Sequence, residues 1–143
     1  MRQIHHVVDV GAGREKVWWA LTDPLGLTGW WSTKLETTDA AVGAQLFWTF
    51  QEGFNPIMEI TRLDDGEALD WRCVGGHDPW QDAIFRFEIA SVGDAQTRLR
   101  FWQDYAVELD DDAYGIYNFL WGFYLESLRV LCESGTGKPH QAS

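Results

Sequence analysis

Four histidines, two cysteines and a mid-helix serine are the side chains with which this chain could do acid-base, metal or nucleophilic chemistry, and their spacing arms few of them. His5 and His6 are neighbours on an alternating stretch, so they point to opposite faces and cannot grip one metal ion; His6 shares its side with Val8 and reads as an interior imidazole. His77-Asp78 falls in the Gly75 to Pro79 loop, where a histidine and a carboxylate could move protons at a pocket mouth, or simply form a solvated turn. His140 lies near the end of the chain with no assigned role. Ser127 follows Glu126 on a helix with no histidine in sequence reach, and no Gly-x-Ser-x-Gly is present. Gly11-Ala12-Gly13 lacks the further glycines and the lysine of a phosphate loop. Cys73 and Cys132 are too few and too far apart for a zinc site and read as buried, reduced thiols. No catalytic constellation, metal or cofactor is expected from these residues.

The residues that must position any ligand are aromatic. Rings make up 15% of the chain, with nine tryptophans, enough for ring packing to set the interior. From Thr33 to Tyr105 the apolar residues recur every second position: Leu46, Trp48 and Phe50; Leu69, Trp71 and Cys73; Phe85, Phe87 and Ile89; Leu99 and Phe101, with Asp70, Arg72, Arg86, Glu88, Arg98 and Arg100 opposite. Glu52-Gly53, Asp64-Asp65-Gly66, Gly75-Gly76 and Gly93-Asp94 separate the runs, giving six or seven antiparallel strands with one dry face. Gln3 to Val10 is counted among these six or seven strands, and Arg14 to Thr22 is a short helix stopped before Pro24. A second short helix is expected over Leu25 to Trp31. Between Asp112 and Cys132 one long helix carries rings on more than one side, which predicts that it is enclosed. Asp110 to Asp112 cap its start. The expected object is an α+β helix-grip: a curved antiparallel sheet wrapped around a long C-terminal helix, one domain over 1–143, with 135–143 a frayed tail.

In that grip the sheet presents Trp48, Phe50, Met58, Ile60 and Trp71, then Phe85, Phe87, Leu99 and Phe101. The helix answers with Tyr117, Leu120, Phe123, Tyr124 and Ser127, while the Tyr117 and Tyr124 hydroxyls, Gln103, Tyr105 and His6 could orient a ligand. The alternative is that the rings fill the grip, because an empty void of about 300 Å³ would cost on the order of 7 kcal/mol. Trp102, on the parity of Arg98 and Arg100, and Trp80 are candidate exposed rings for a homodimer interface.

A net charge of −11 opposes nucleic acid and anionic membranes as partners. No segment has the length and apolar character of a membrane span or signal peptide, and the expected location is the cytoplasm.

Three segments carry a resemblance. Val17-Trp18-Trp19-Ala20-Leu21-Thr22-Asp23-Pro24 with Trp30-Trp31, the strands Ile57-Met58-Glu59-Ile60 and Leu69-Asp70-Trp71, and the run from Gly122-Phe123-Tyr124 to Gly135-Thr136-Gly137-Lys138-Pro139 are similar to those of a bacterial member of the START-like (SRPBCC) superfamily, in the branch of heat-shock chaperone ATPase activator homologues. Phe123 stands where that branch often has tryptophan, and the chaperone activators carry a second domain that these residues do not include. The superfamily contains lipid carriers, polyketide cyclases and hormone-binding proteins. The resemblance therefore implies a helix-grip cavity for a small apolar or aromatic ligand, with a cyclase- or hydrolase-like enzyme and a homodimeric, co-chaperone-like module as the alternatives.

Overall fold

Asp23-Pro24 sets the first corner of the fold. Its extended backbone ends one helix, and the Asp23 side chain accepts the Leu25 amide at 2.9 Å to start the next, with Pro24 in the first turn where no amide hydrogen is needed. The two helices are α1 (Arg14–Thr22) and α2 (Pro24–Thr28). Helix α2 is shorter than the sequence pattern suggests, because the chain turns at Gly29 and carries Trp30 and Trp31 inward as a loop. The computed structural model describes residues 2–142.

The alternating segments form seven strands: β1 (Gln3–Val10), β2 (Lys34–Glu36), β3 (Gln45–Thr49), β4 (Ile57–Asp64), β5 (Ala68–Gly75), β6 (Ile84–Gly93) and β7 (Gln96–Asp104). They make one antiparallel sheet in the order β1-β7-β6-β5-β4-β3-β2. Register puts the inward rings side by side, with Phe87 opposite Phe101 and Trp71 opposite Phe85. The outer face pairs charges across strands, as where Arg98 holds Asp9 through two hydrogen bonds.

Helix α3 (Asp111–Ser134) closes the inner face. Asp110 caps it, its carboxylate accepting the Ala113 amide at 2.8 Å, and Gly135 ends it at φ +91°, a left-handed turn that glycine adopts without strain. Trp121, Leu125, Leu128 and Leu131 face inward. The Trp121 indole donates to the Gln103 side-chain oxygen at 2.8 Å and lies 4.3 Å from the Phe101 ring, which seats the helix on β7. The helix is not enclosed on all sides as its ring content suggests: Ile116, Phe119 and Phe123 remain in water.

The segment after Gly135, read from the sequence as frayed, is tied down. Buried Ser127 donates its hydroxyl to the Trp30 carbonyl at 3.0 Å and accepts the Lys138 amide at 2.7 Å. The His140 amide bonds to the Trp31 carbonyl and its carbonyl accepts from Thr33, while the Ala142 amide reaches the Thr33 hydroxyl. A Cβ at Gly137 would sit 2.3 Å from the Gly29 carbonyl oxygen, so only glycine permits this approach.

Candidate functional site

Trp31 divides the interior of the grip. Its indole lies edge-on to Trp48 at 4.7 Å and Phe50 at 4.9 Å, and it stacks against Trp71, Trp121 and Trp80 at 5.7, 5.3 and 6.2 Å. On one side of this stack the interior is solid. Trp48, Met58, Ile60, Trp71, Phe85, Phe87, Leu99 and Phe101, expected as cavity lining, are packed as core instead. They close because the Trp30-Trp31 loop and Trp121 fill the space that the sheet pattern leaves for a ligand.

On the other side a half-open cavity of about 240 Å³ remains. Trp31, Trp80 and Trp121 form its floor, and Phe50 and Phe54 one wall. Tyr117, Leu120 and Tyr124, spaced along one face of α3, form the opposite lip, with Gln51 and His140 completing the mouth. Four residues of the expected lining are thus brought together: Phe50, Tyr117, Leu120 and Tyr124. Phe123 turns outward, and buried Gln103 spends its oxygen on Trp121.

Several expectations for polar and exposed residues change. Trp80 is not an exposed ring; it ends the short 3-10 turn Asp78–Trp80 and packs beneath the cavity. Trp102 does lie on the outer face, half-buried and stacked on His5 at 4.7 Å. His77 is no solvated turn residue. Its ring meets Phe54 and Trp80 edge-on, and Nε2 is 2.8 Å from the Tyr117 hydroxyl. His6 is half-buried and bonds Asn118 at 3.0 Å. His140 donates its ring N–H to the Phe50 carbonyl at 3.1 Å and thereby walls the mouth. Tyr105 is buried with a hydroxyl that, like the Trp80 indole N–H and the Gln103 amide nitrogen, lacks a hydrogen-bond partner among the described residues.

Burial sets the protonation states. It lowers the His77 pKa, against a hydrogen bond to the Gly53 backbone, and raises those of the Tyr117 and Tyr124 phenols. The cavity at neutral pH is therefore uncharged along this edge, with hydroxyls available to hydrogen-bond. Asp78 is exposed, and its charge opposes the lowering of the His77 pKa without reversing it, so the pair with Tyr117 is a neutral hydrogen bond. Burial pushes the Cys132 thiol up to about 11, and Cys73 is likewise raised, so neither is a ready nucleophile. Rings with faces and edges exposed, plus a few hydroxyl, amide and imidazole groups, can stack on and orient a flat apolar molecule.

Six lining residues escape the sequence pattern: Trp31, Gln51, Phe54, Trp80, Trp121 and His140. Trp121 carries the clearest signal, standing four residues after Tyr117 and three before Tyr124 on the same helical face. The others sit in loops, a turn and the tail, where no period applies.

Comparison with known proteins places this geometry. The family model for Activator of Hsp90 ATPase homolog 1-like protein matches residues 12–133. The Aha1 dimer from Colwellia psychrerythraea, known from its solution structure, is similar at 28% identity and a TM-score of 0.84, over 96% of this chain and 100% of that one. MLL2253 from Mesorhizobium loti shares the fold at 21% identity and a TM-score of 0.77, over 91% and 96%. So does DynU16, a protein of the dynemicin biosynthetic locus, at 18% identity and a TM-score of 0.75, over 94% of this chain and 48% of its own. No curated protein matches the chain.

Proposed function

Because the chain belongs to the Activator of Hsp90 ATPase homolog 1-like family, we propose that it is a cytoplasmic binding protein that takes a small, flat, apolar molecule into the cavity beneath α3 without transforming it. The observation that carries this reading is the cavity of about 240 Å³ left open in a core otherwise packed with rings. Being half-open, the cavity holds water against aromatic walls when no ligand is present, and a flat apolar molecule that displaces this water gains by burying its own surface and that of the rings. A sequence with nine tryptophans could have filled it. The volume suits one or two fused rings, since an apolar cavity of roughly 150 Å³ holds benzene. Trp31, Trp80 and Trp121 would stack on the ligand, and the Tyr117 and Tyr124 hydroxyls would meet its polar edge.

The test is native mass spectrometry of protein purified from its own host, joined to a thermal-shift screen of mono- and bicyclic aromatics. Three of the nine tryptophans floor the cavity, so an occupied cavity also changes tryptophan emission. At a ligand concentration of about 100 Kd the stabilisation is about 2.7 kcal/mol, or several degrees in Tm. No adduct, no shift and no emission change across the library would overturn the reading.

A second reading concerns assembly. The relative from Colwellia psychrerythraea forms a dimer and aligns over its whole length, which supports a homodimer of this chain as the working form.

A further inference from the structure

We propose that the outward face of α3 is a two-fold interface that receives the same face of a second copy, with the two helices antiparallel. The proposal rests on the homodimer reading above and assigns its surface.

Ile116, Phe119, Leu120 and Phe123 stand at helical spacing on one stripe and are 59%, 72%, 37% and 45% exposed. The opposite side of the helix is already committed to the sheet through Trp121, Leu125 and Leu128. Further along, the tail shelters the helix at Ser127, so the open stretch is limited to the first half of α3. Side chains of this size offer on the order of 200 Å² each, which leaves roughly 400 Å² of apolar surface per copy. Two copies would bury about 800 Å² from these four positions, the apolar centre of an interface of about 1,200–2,000 Å² once a polar rim is added.

Gly115 gives an independent indication. It lies one turn before Phe119 on an exposed part of the helix, and a Cβ there would meet nothing within 4 Å. Within the chain nothing requires glycine, although it costs roughly 1 kcal/mol relative to alanine in a helix. A bare backbone beside an apolar stripe lets another helix approach closely.

Charge selects both the partner and its direction. Asp110, Asp111 and Asp112 adjoin the stripe and oppose an anionic membrane surface. A parallel pair would set these acidic turns against each other. An antiparallel pair centred near Phe119 holds them about 24 Å apart at 1.5 Å per residue, beyond the Debye length of about 8 Å. A two-fold axis also meets the stripe's requirement for an equally apolar partner with one surface used twice.

Sedimentation velocity over a wide concentration range tests this on the full chain. The expected result is a wild-type dimer, a Phe119→Glu variant whose dimer Kd rises by at least about a hundredfold, and a Val7→Glu variant, on the outer sheet face, that still dimerises. Phe119→Cys should form a disulfide-linked dimer on oxidation, because the axis brings the position near its own copy while Cys73 and Cys132 are buried. A wild-type chain that stays monomeric throughout refutes the homodimer reading and this interface with it. A wild-type dimer that Phe119→Glu leaves intact refutes the interface alone.

Discussion

The hydrogen bond between Trp121 and Gln103 holds the long helix to the sheet, and a double-mutant cycle measures it. Both side chains are buried and the indole nitrogen is 2.8 Å from the amide oxygen. Trp121→Phe keeps a ring against Phe101 but strands the Gln103 oxygen without a donor. An orphaned buried acceptor costs about 1–3 kcal/mol, and the lost ring contacts with Trp31 and Trp80 add about 1 kcal/mol, so the variant should lose about 3 kcal/mol. Gln103→Leu strands the indole N–H instead but also removes an amide nitrogen that has no partner among the described residues, so its loss should be smaller, about 1–2 kcal/mol. In the double variant neither group is left waiting. It should therefore be less destabilised than the sum of the singles by about 1–3 kcal/mol. Urea unfolding, with all variants at one protein concentration so that any dimer contributes equally, suits the measurement, and with slopes of about 1–3 kcal/mol/M the Trp121→Phe midpoint should fall by about 1 M or more. Additivity within about 0.5 kcal/mol would refute the claim that this bond couples helix to sheet.

Other perturbations probe the supports of the cavity. Ser127→Ala removes the hydroxyl that joins Trp30 to Lys138; it should cost about 1–3 kcal/mol, and hydrogen exchange should quicken at the Lys138 and His140 amides while those of β6 stay protected. Gly26→Ala puts a Cβ 2.3 Å from the Trp19 carbonyl oxygen and 2.7 Å from the Ala20 Cα, so the α1-α2 corner must shift and stability should fall by at least about 1–3 kcal/mol; an unchanged Tm would contradict the packing. His77 has its pKa lowered by burial, so the unfolded chain takes the proton first on acidification. Wild-type stability should then fall relative to His77→Gln as pH drops below about 6.5 and through the folded value, and a pH-independent difference between the two would count against a desolvated imidazole.

The strands were legible because the inner face is apolar and the outer face charged at every second position, so parity alone separates Trp71 from Arg72 and Phe87 from Glu88. The long helix is harder. Rings at 117, 119, 121, 123 and 124 leave it with no continuous polar side, and a 3.6-residue period can orient a helix only when one face is wet. Tyr117, Leu120 and Tyr124, expected on the cavity side, line the cavity, whereas Phe123, expected beside them, points to water. On the sheet the alternation finds which residues face inward, but not what meets them there. Only Phe50 among the expected sheet residues reaches the cavity, because a non-periodic loop inserts Trp31 over the rest. The tail was equally opaque: its anchors are backbone amides meeting Ser127, Trp31 and Thr33, contacts for which a Gly-Thr-Gly-Lys-Pro sequence carries no pattern.

Leu120 joins the two proposals, since it lines the cavity and also belongs to the outward stripe of α3. A second copy seated on Ile116, Phe119 and Phe123 would cover this lip of the mouth, so ligand in the cavity and partner on the helix would act on the same side chain. Linkage then requires reciprocity: if ligand tightens the dimer by some factor, dimerisation tightens ligand by the same factor, and a coupling of about 1–3 kcal/mol corresponds to roughly 5- to 150-fold. Dimer Kd measured by sedimentation with and without a saturating aromatic ligand reads this coupling directly. Equal values in the two conditions would refute a coupling between cavity and partner through Leu120.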